Sequence, residues 1–498
     1  MFASFPKDFN GVHIHFVGIK GTGMVALVEI LTAQGAIISG SDVSERFYTD
    51  EILEKLNIKP LEFSKSNITD DIQLVVYSSA YSKSSNPDLI EAENKKIPMM
   101  LYSEALGLIS QKSFSCGVCG VHGKTSTTGL VGTLLKHLDL PAQVLAGSII
   151  SSFDNSCTMT SPLISNDLSN NRQKYFVAET CEYQRQFMAF YPKKIILTSV
   201  ESDHQDYYPT YDDILSAFVD YICKLPKNGQ LIYCADDNGA VEAAKKALEK
   251  RPDIILIPYG QKASGDYKVT FKSIKDGKHY FYIDSLGECA IVVPGNHNIL
   301  NATAAIALTI ELLKEDKKNL EDYTNSIKKA LLNFKGGKRR SEILGFRKNS
   351  YGQNIIFIDD YGHHPTAIKT TLSGFREFYK NHMIIVDFMS HTYTRTEALL
   401  EDFASCFDSA DKVIINKIYG SARENFNNSK VSGELLAEIT KKYHKDVVYA
   451  AEFEDAVAIA KKYLSEDNTK NYPEGYIFVT MGAGDNWKVG TMLLENLK

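Results

Sequence analysis

The chain has 498 residues, of which 44% are hydrophobic and 23% are charged. At roughly 150 residues per domain, this length predicts about three folded domains, and the composition excludes collagen-like, broadly disordered and small disulfide-stapled proteins. Because 55 Lys and Arg residues face 61 Asp and Glu residues, the net charge of −6 provides no general positive field for a nucleic-acid backbone. We therefore expect no nucleic-acid partner, and any anionic ligand must be bound locally.

The sequence predicts neither secretion nor a membrane segment. Its first ten residues, MFASFPKDFN, lack a charged stretch followed by a long apolar one, and no uninterrupted run of about 18 apolar residues occurs. Eight sparse cysteines are typical of a reducing compartment, so we expect a cytoplasmic protein without a membrane partner. Cys116 and Cys119 form a close pair, which we interpret as two small packed residues rather than zinc ligands.

Short β-rich runs alternate with amphipathic helical stretches, which predicts an α/β fold with largely parallel sheets. Changes in composition place domain boundaries near residues 112 and 335. A Ser/Asn-rich stretch at 151–174 is interpreted as a surface loop of the middle domain. The predicted strands are 12–17, 74–77, 176–178, 195–198, 355–358, 383–386 and 476–480.

The first strand runs into a glycine-rich segment, GIKGTGM, with Gly18, Gly21 and Gly23. In a βαβ unit such glycines let backbone N–H groups approach a diphosphate at a helix N-terminus, although they can also form a simple tight turn. Asp42, 19 residues after Gly23, is placed to accept a hydrogen bond from a ribose hydroxyl. Lys20 replaces the middle glycine of the dinucleotide fingerprint, and we expect its side chain to obstruct a dinucleotide.

Polar residues after the next strand are further candidates for this crevice. Ser78 and Ser79 end the strand, and Asn86 precedes a proline in the pattern of a helix N-cap. They could line the crevice or simply cap the helix.

The sharpest motif is GVCGVHGKTS at 117–126, between a β-like run and a helix predicted to begin near Thr127. Backbone N–H groups of such a loop bind phosphate oxygens, Lys124 neutralises the β- and γ-phosphates, and the Thr125 hydroxyl can bind Mg²⁺. In the usual phosphate loop the first glycine would fall at Val118, so Gly117 lies one residue off register. Strand, glycines, Lys-Thr and helix together favour an ATP phosphate cradle over a structural turn.

Three later segments end strands with charged or imidazole side chains. ETCE at 179–182 and ESDH at 201–204 could each supply one or two Mg²⁺ ligands, or be solvated acidic loops. DDYGHHPT at 359–366 lies where open α/β sheets bind ligands. Its two histidines are poor zinc ligands because adjacent side chains diverge, and packed or capping histidines are the alternative.

Together these motifs resemble those of the Mur ligases over nearly the whole chain. That family's GxGGxGM and SD motifs, GTHGKTT loop, GxHNxxNA motif, KRR before a Glu, DDYGHHPT segment and closing GAGDNW segment are each similar to a segment here. In order, the similar segments are 18–24 with 41–42, 120–126, 295–302, 338–342, 359–366 and 482–490.

The resemblance implies three domains: a Rossmann-like UDP-sugar domain at 1–112, a P-loop ATP domain at 113–335 and a Rossmann-like amino-acid domain at 336–498. It implies an ATP- and Mg²⁺-dependent ligase that joins L-alanine to UDP-N-acetylmuramate through an acyl phosphate, giving ADP and phosphate. Such an enzyme serves peptidoglycan precursor synthesis, and thereby cell-wall formation, cell shape and division. We expect a monomer or homodimer.

The resemblance and the residues together give four sets of candidates. The catalytic candidates are Lys124, His204, His363 and Arg395. The ATP-binding candidates are Gly120, Val121, His122, Gly123, Lys124, Thr125, Ser126, His297, Asn298, Asn301, Arg340, Asp359 and Asp360. The candidates for binding the sugar nucleotide or the amino acid are Gly18, Gly21, Gly23, Asp42, Ser78, Ser79, Asn86, Tyr361 and His363. The metal candidates are Thr125, Glu179 and His204.

Two segments depart from the alanine-adding members of the family. Those members typically have EADESD where this chain has ETCEYQ at 179–184. They typically have HRYTRT where this chain has HTYTRT at 391–396, so Thr392 stands in place of an arginine. We expect the third domain to close over the second and bring Asp359, Asp360 and Arg395 to the phosphate loop.

Three alternatives remain from the sequence. A muropeptide-recycling ligase of the same family would attach a preformed peptide, but the YGHHP and YTRT segments favour a single amino acid. A nicotinamide-dependent dehydrogenase would use the first domain, and Lys20 and the separate Lys124 loop argue against it. A non-catalytic sensor would bind ATP without turnover.

Overall fold

The computed structural model describes residue 6 and residues 8–165, 174–420 and 430–497. The chain divides into two compact units. The first unit comprises the described parts of Met1–Val200, Leu215–Lys268 and Ala302–Phe334; the second comprises Glu201–Ile214, Val269–Asn301 and the described parts of Lys335–Lys498. Within these described ranges, no helix is both long and apolar enough to cross a bilayer.

The first unit begins with a parallel four-stranded sheet. Its strands are β1 (His13–Val17), β2 (Ile37–Ser41), β3 (Leu74–Tyr77) and β4 (Met99–Leu101), in the order β2-β1-β3-β4. Every residue of β3 is buried, as expected for a parallel strand covered on both faces. The accompanying helices are α1 (Thr22–Ala33), α2 (Asp50–Lys55), α3 (Pro87–Asn94) and α4 (Tyr102–Gln111).

A seven-stranded sheet forms the rest of this unit. Its strands are β5 (Phe114–Cys119), β6 (Ala142–Ile150), β7 (Ser156–Thr160), β8 (Tyr175–Glu179), β9 (Lys194–Leu197), β10 (Gln230–Cys234) and β11 (Ile255–Tyr259), in the order β11-β10-β9-β5-β8-β6-β7. The chain runs from β5 to strands on one side and later returns to β9 on the other. The end of β5 is therefore a topological switch point, where open parallel sheets bind ligands.

The stretch at 151–174 is not simply a surface loop, and that prediction is wrong. It contains β7, which pairs antiparallel with β6, and a short helix, α6 (Pro162–Ser165); residues 166–173 lie outside the described part of the chain. Cys157 and Met159 are buried between more polar neighbours, so a period-two pattern was present within a polar composition. Cys116 and Cys119, predicted to be packed rather than metal-bound, are both buried free cysteines.

The remaining helices of the first unit are α5 (Lys124–His137), α8 (Asn238–Lys250) and α10 (Thr324–Asn333). Short 3-10 segments occur at Lys65–Asn67, Ser151–Phe153, Tyr183–Ala189 and Leu320–Asp322. Two further helices of the chain are α7 (Tyr211–Ile222) and α9 (Asn296–Glu315).

The second unit contains two sheets. Strands β12 (Val269–Lys275), β13 (Lys278–Ile283) and β14 (Gly287–Ile291) form an antiparallel sheet that the sequence analysis did not predict. The other sheet has six strands: β15 (Glu342–Lys348), β16 (Asn354–Asp360), β17 (His382–Phe388), β18 (Lys412–Ile415), β19 (Val447–Tyr449) and β20 (Gly475–Met481). Their order is β15-β16-β20-β17-β18-β19, and only β15 is antiparallel to its neighbour.

Alternate residues of β17 enter two separate hydrophobic cores. Ile384 and Val386 belong to one core, and Met383 and Ile385 belong to the other. This is the period-two pattern of a central strand covered on both faces. The helices of this unit are α11 (Pro365–Phe378), α12 (Tyr393–Ala398), α13 (Leu400–Ala404), α14 (Gly433–Thr440), α15 (Phe453–Leu464) and α16 (Trp487–Asn496). All seven predicted strands are confirmed, as β1, β3, β8, β9, β16, β17 and β20.

Asp387 on β17 is a fully buried carboxyl group with two amide partners. Its two oxygens each lie 3.1 Å from an amide nitrogen, one of Asn416 and one of Asn486, and all three side chains are buried. Burial raises the pKa of Asp387 to about 7, although both amide donors oppose the shift. In the described residues, the Oδ1 atoms of Asn416 and Asn486 have no hydrogen-bond partner. Burial therefore keeps this carboxyl mostly neutral below about pH 7.

We expect the contribution of Asp387 to stability to be lost as the pH rises. The folded-state pKa lies above the ordinary value of 3.8, so the folded chain retains this proton up to about pH 7 while the unfolded chain releases it. The contribution is complete below pH 4, declines towards pH 7, and amounts to at most about 4 kcal/mol. Asp387→Asn should reduce the fall in melting temperature between pH 5 and pH 8. Equal falls in the two proteins would contradict this assignment.

Candidate active site

The phosphate-loop segment follows β5 at the centre of its sheet. Gly120 has a φ of +132°, and a Cβ at this position would clash with the Thr198 hydroxyl oxygen. Gly123 has a φ of +80° at the N-cap of α5, so the helix begins at Lys124 rather than near Thr127 as predicted. Glycine is required in this loop because both positions need a positive φ and one leaves no room for a side chain.

The loop is tied to the end of β9. The backbone N–H of Val121 donates to the Ser199 carbonyl over 3.0 Å, and the N–H of His122 donates to the Ser199 hydroxyl over 2.9 Å. The Thr198 hydroxyl lies against the carbonyls of Cys119 and His122. Ser199 and Thr198 therefore fix the path of the loop, and neither was selected from the sequence.

Lys124 has an internal counter-ion. Its Nζ lies 2.9 Å from both carboxylate oxygens of Glu182 and also donates to the Gly120 carbonyl. Burial opposes the charge on Lys124, but the Glu182 carboxylate outweighs burial and raises the pKa of the lysine above its ordinary value. Lys124 is therefore a permanent cation, pre-positioned at the mouth of the loop. Glu182 was not selected as a site residue, because nothing in the sequence pairs it with Lys124.

Thr125 and Glu179 lie together beside this cation. The Thr125 hydroxyl is 3.1 Å from Glu179 Oε1, and Glu179 Oε2 accepts from the backbone N–H of Gly147 over 2.7 Å. A carboxylate and a hydroxyl at the end of a phosphate loop are the hard oxygen donors that suit Mg²⁺. Two of the three predicted metal ligands are thus neighbours in the first unit, whereas His204 belongs to the second unit.

The first glycine-rich segment packs closely against the end of β3. Gly18 has a φ of +85°, and a Cβ there would lie 2.6 Å from the Tyr81 ring and 3.1 Å from Ser78. The Tyr81 hydroxyl donates to Asp42 over 2.9 Å, so these residues share one edge of the sheet. Asp42 also accepts from the backbone N–H groups of Lys20 (2.7 Å) and Val43 (2.8 Å). The Asp42 carboxylate thus accepts three hydrogen bonds from the protein. Its contact with a ribose stays a prediction.

Two side chains near this segment have partners within the protein. The Lys20 ammonium is bound by the carbonyls of Val43 (3.0 Å) and Glu45 (2.7 Å) and lies 3.4 Å from the Asp50 carboxylate, so this side chain fixes the segment after β2. Its obstruction of a dinucleotide stays a prediction. Asn86 is the N-cap of α3, and its side-chain oxygen accepts from two backbone N–H groups of the first turn. The capping alternative is therefore the observed one for Asn86.

Several other residues that were predicted to bind nucleotides contact groups of the protein itself. Ser79 accepts from the Gln186 amide over 3.0 Å in the first unit. In the second unit, the amide of Asn301 donates to the side-chain oxygen of Asn298 over 3.2 Å, and a Cβ on Gly295 would strike the His297 ring. The proposed nucleotide contacts of these residues remain predictions.

Arg339 and Asp359 form a buried ion pair, with Nε 2.8 Å from the carboxylate. The same guanidinium donates to the carbonyls of Gly482 (2.8 Å) and Gly484 (3.0 Å), in the closing segment of the chain. Asp359 also accepts from the Thr480 hydroxyl over 2.7 Å. Asp359 therefore binds protein groups on two sides, and its predicted contact with ATP stays a prediction.

Arg340, Tyr361 and His363 are brought together in the second unit. The Arg340 guanidinium carbon lies 4.9 Å from the centre of the Tyr361 ring, and the Tyr361 and His363 ring centres are 5.0 Å apart. Asp360 supports this corner by accepting from the backbone N–H groups of Ser341 (2.7 Å) and Gly362 (2.8 Å), although burial raises the pKa of its carboxyl. The predicted contacts of Arg340 and Asp360 with ATP, and of Tyr361 and His363 with the amino acid, stay predictions.

Arg395 completes the cluster through an aspartate that was not selected as a site residue. Its Nε and Nη2 lie 3.1 Å and 3.0 Å from Asp203 Oδ1. Burial and the nearby Arg395 charge lower the pKa of His363 well below its ordinary value, so this imidazole is neutral. His364 has a different role, because its ring accepts from the Thr366 N–H at the start of α11.

Three family models match the chain in order. The Mur ligase family, catalytic domain model matches residues 13–113; the Mur ligase middle domain model matches 118–309; and the Mur ligase, glutamate ligase domain model matches 339–484. The chain belongs to the Mur ligase family. It has the three-domain α/β architecture of that family, with parallel sheets.

Known Mur ligases resemble this chain along its whole length. The UDP-N-acetylmuramate–L-alanine ligase of Treponema pallidum strain Nichols is 46% identical over 497 residues, covering 99% of this chain and 98% of the relative. The protein of the same name from Borreliella burgdorferi is 37% identical over 487 residues, covering 96% and 98%. The crystal structure of UDP-N-acetylmuramate-alanine ligase from Thermotoga maritima has a TM-score of 0.74 at 24% identity, covering 97% of this chain and 98% of that one, and shows a shared fold.

We expect Gly120→Ala to disable the phosphate loop of this Mur ligase without unfolding it. The new methyl group must displace Thr198 or distort the loop, so the rise in melting temperature on adding ATP and Mg²⁺ should disappear. Gly265→Ala is the matched control: Gly265 also has a positive φ, +83°, but no atom lies within 4 Å of the added Cβ. That variant should cost about 1 kcal/mol of stability and keep the response to ATP. Equal responses in both variants would refute the steric argument.

Proposed function

We propose that this protein joins L-alanine to UDP-N-acetylmuramate with ATP and Mg²⁺, giving UDP-N-acetylmuramoyl-L-alanine, ADP and phosphate. The observation that carries this proposal is the 46% identity, over 99% of the chain, to an enzyme named for that reaction. The Lys124 loop and the Arg340, Tyr361 and His363 cluster support it from the structure. This reaction belongs to peptidoglycan precursor synthesis, in the cytoplasm.

The chain's own residues explain how the first step proceeds. The lactyl carboxylate of the sugar nucleotide attacks the γ-phosphate of ATP, and negative charge grows on the transferring phosphoryl group. Lys124 stabilises that charge, as do the backbone N–H groups of the loop, because both are held in place before the substrate arrives. The product of this step is an acyl phosphate, whose carbonyl carbon is now electrophilic.

The second step forms the amide bond. The amine of L-alanine attacks the activated carbonyl, and the tetrahedral intermediate expels phosphate. No protein nucleophile is needed since ATP supplies the activation, and positioning alone can contribute about 7 to 11 kcal/mol in well-oriented reactions. The neutral imidazole of His363 can accept the proton that the amine nitrogen loses as the amide bond forms.

Mg²⁺ would be held by the Thr125 hydroxyl and the Glu179 carboxylate, and it would neutralise phosphate charge there. His204 is a third proposed ligand. The first domain, 1–112, would bind the UDP-sugar through the segment of Gly18, Gly21 and Gly23; the second, 113–335, would bind ATP; the third, 336–498, would bind the amino acid.

We expect phosphate release that requires ATP, UDP-N-acetylmuramate and L-alanine together. With ¹⁸O in the lactyl carboxylate, one labelled oxygen should appear in the released orthophosphate, because the carboxylate oxygen bonds to phosphorus and leaves with it. Other amino acids and the tripeptide L-Ala-γ-D-Glu-meso-diaminopimelate serve as alternative acceptors. A preference for the peptide would favour a recycling ligase. Orthophosphate that contains no labelled oxygen would exclude an acyl phosphate.

Lys124→Ala should lower kcat by at least about a thousandfold, since it removes the cation that faces the transferring phosphoryl group. Lys136→Ala provides a matched control on the same helix, because Lys136 pairs with Asp154 at the exposed surface. That control should keep wild-type turnover. Far-UV circular dichroism should show both variants folded, and turnover retained by folded Lys124→Ala would refute the assigned role.

A further inference from the structure

The Asp203–Arg395 contact is a buried ion pair between residues far apart in sequence. Nε and Nη2 of the guanidinium lie 3.1 Å and 3.0 Å from the same oxygen, Oδ1, of Asp203. Only 5% of the Asp203 side chain and 8% of the Arg395 side chain are exposed. Asp203 lies in the region matched by the middle-domain model, and Arg395 lies in the C-terminal region, yet both belong to the second unit.

The backbone of Arg395 is fixed independently of this pair. Arg395 lies in the first turn of α12, and its N–H faces the hydroxyl of the N-cap residue, Thr392, over 3.4 Å. The Thr392 N–H donates in turn to the Tyr419 carbonyl over 3.0 Å. With its backbone held by Thr392 and its guanidinium held by Asp203, Arg395 has little freedom to reorient.

Stability alone does not explain this arrangement. A buried ion pair is commonly no more stabilising than apolar residues of similar volume, because both charges lose their hydration. This pair also lies beside groups of the amino-acid end of the site: the Arg395 charge acts on His363, and the rings of His363 and His391 are 6.5 Å apart. Asp203 binds the edge of the guanidinium that Nε and Nη2 form. Nη1 lies on another edge, 3.5 Å from the His391 carbonyl oxygen.

We infer that Asp203 is a positioning residue, which holds the Arg395 guanidinium so that its Nη1 edge receives the carboxylate of the incoming amino acid. A guanidinium matches a carboxylate in shape and charge, and a fixed guanidinium loses less entropy on binding than a mobile one. Thr392 makes this orientation more important, because Arg395 is the only arginine in the segment 391–396. The inference rests on the proposed function for the identity of that carboxylate.

Asp203→Asn tests the role with little change in shape. We expect the KM for L-alanine to rise about tenfold, with kcat within about twofold and the KM values for ATP and UDP-N-acetylmuramate unchanged, since only one carboxylate would lose its oriented partner. The Mg²⁺ concentration for half-maximal activity should also stay unchanged. This readout matters because the neighbouring His204 N–H donates to Asp203 Oδ1 over 2.7 Å, and a change in it would show that Asp203 acts through the proposed metal ligand.

Asp411→Asn is the matched control. Like Asp203, Asp411 pairs with an arginine of the second unit: its carboxylate lies 2.6 Å from Arg376. It accepts a further hydrogen bond from the Tyr472 hydroxyl. The control should lower the melting temperature without changing the KM for L-alanine. If folded Asp203→Asn does the same, Asp203 is structural and the inference is wrong.

A double-mutant cycle with Arg395→Lys adds a second criterion. Each single variant should raise the KM for L-alanine, and the double variant should be no worse than the poorer single variant, because the two residues act as one unit. If the increases in the KM for L-alanine multiply in the double variant, the two residues act independently and the inference is wrong. If Asp203→Asn does not fold, Asp203→Glu, which keeps the charge but shifts the carboxylate, should raise the same KM; an unchanged value would refute the role. Absence of L-alanine-dependent turnover in the wild type would instead refute the proposed function.

Discussion

The Lys124 side chain, only 14% exposed, carries the charge around which the phosphate-loop end of the first unit is organised. A cation removed from water is costly unless an opposite charge lies against it, and Glu182 supplies that charge through both of its oxygens. The end of β8 and the turn after it therefore carry two carboxylates: Glu179, the last residue of the strand, for the Thr125 side of the loop, and Glu182, in the turn, for the lysine. The proposed phosphate site lies at the ends of two neighbouring strands, β5 and β8, and the segments that follow these strands carry opposite charges.

The same rule, a buried cation paired with a carboxylate, shapes the second unit. Arg339 and Arg395 are buried guanidiniums, and each has an aspartate partner, Asp359 and Asp203 respectively. The first of these pairs also fixes the closing Gly482 segment, because Arg339 donates to its carbonyl. An aspartate that looks like a ligand-binding residue in the sequence can thus act indirectly, by holding an arginine in place.

The sequence predicts the motifs of this site better than the partners of those motifs. The glycines, Lys124, Thr125 and the DDYGHHPT segment are recognisable because their chemistry depends on residues close together in sequence. Glu182 and Asp203 escaped selection because each acquires its role from a residue 58 or 192 positions away. The antiparallel sheet of β12 to β14 was missed for a related reason: its strands are partly exposed and lack the continuous apolar runs that mark the parallel strands.

Thr392 shows how one substitution can change two properties of a site. Its φ of +68° is unusual for a β-branched residue, so the surrounding contacts must hold this conformation in place. The threonine hydroxyl caps α12, an interaction that the arginine of the resembling segment could not make with its side chain, since a guanidinium has no acceptor. The charge that an arginine would bring is absent, but the helix that carries Arg395 gains a cap. Under the proposed function, the carboxylate of the amino acid would thereby meet one well-fixed cation rather than two.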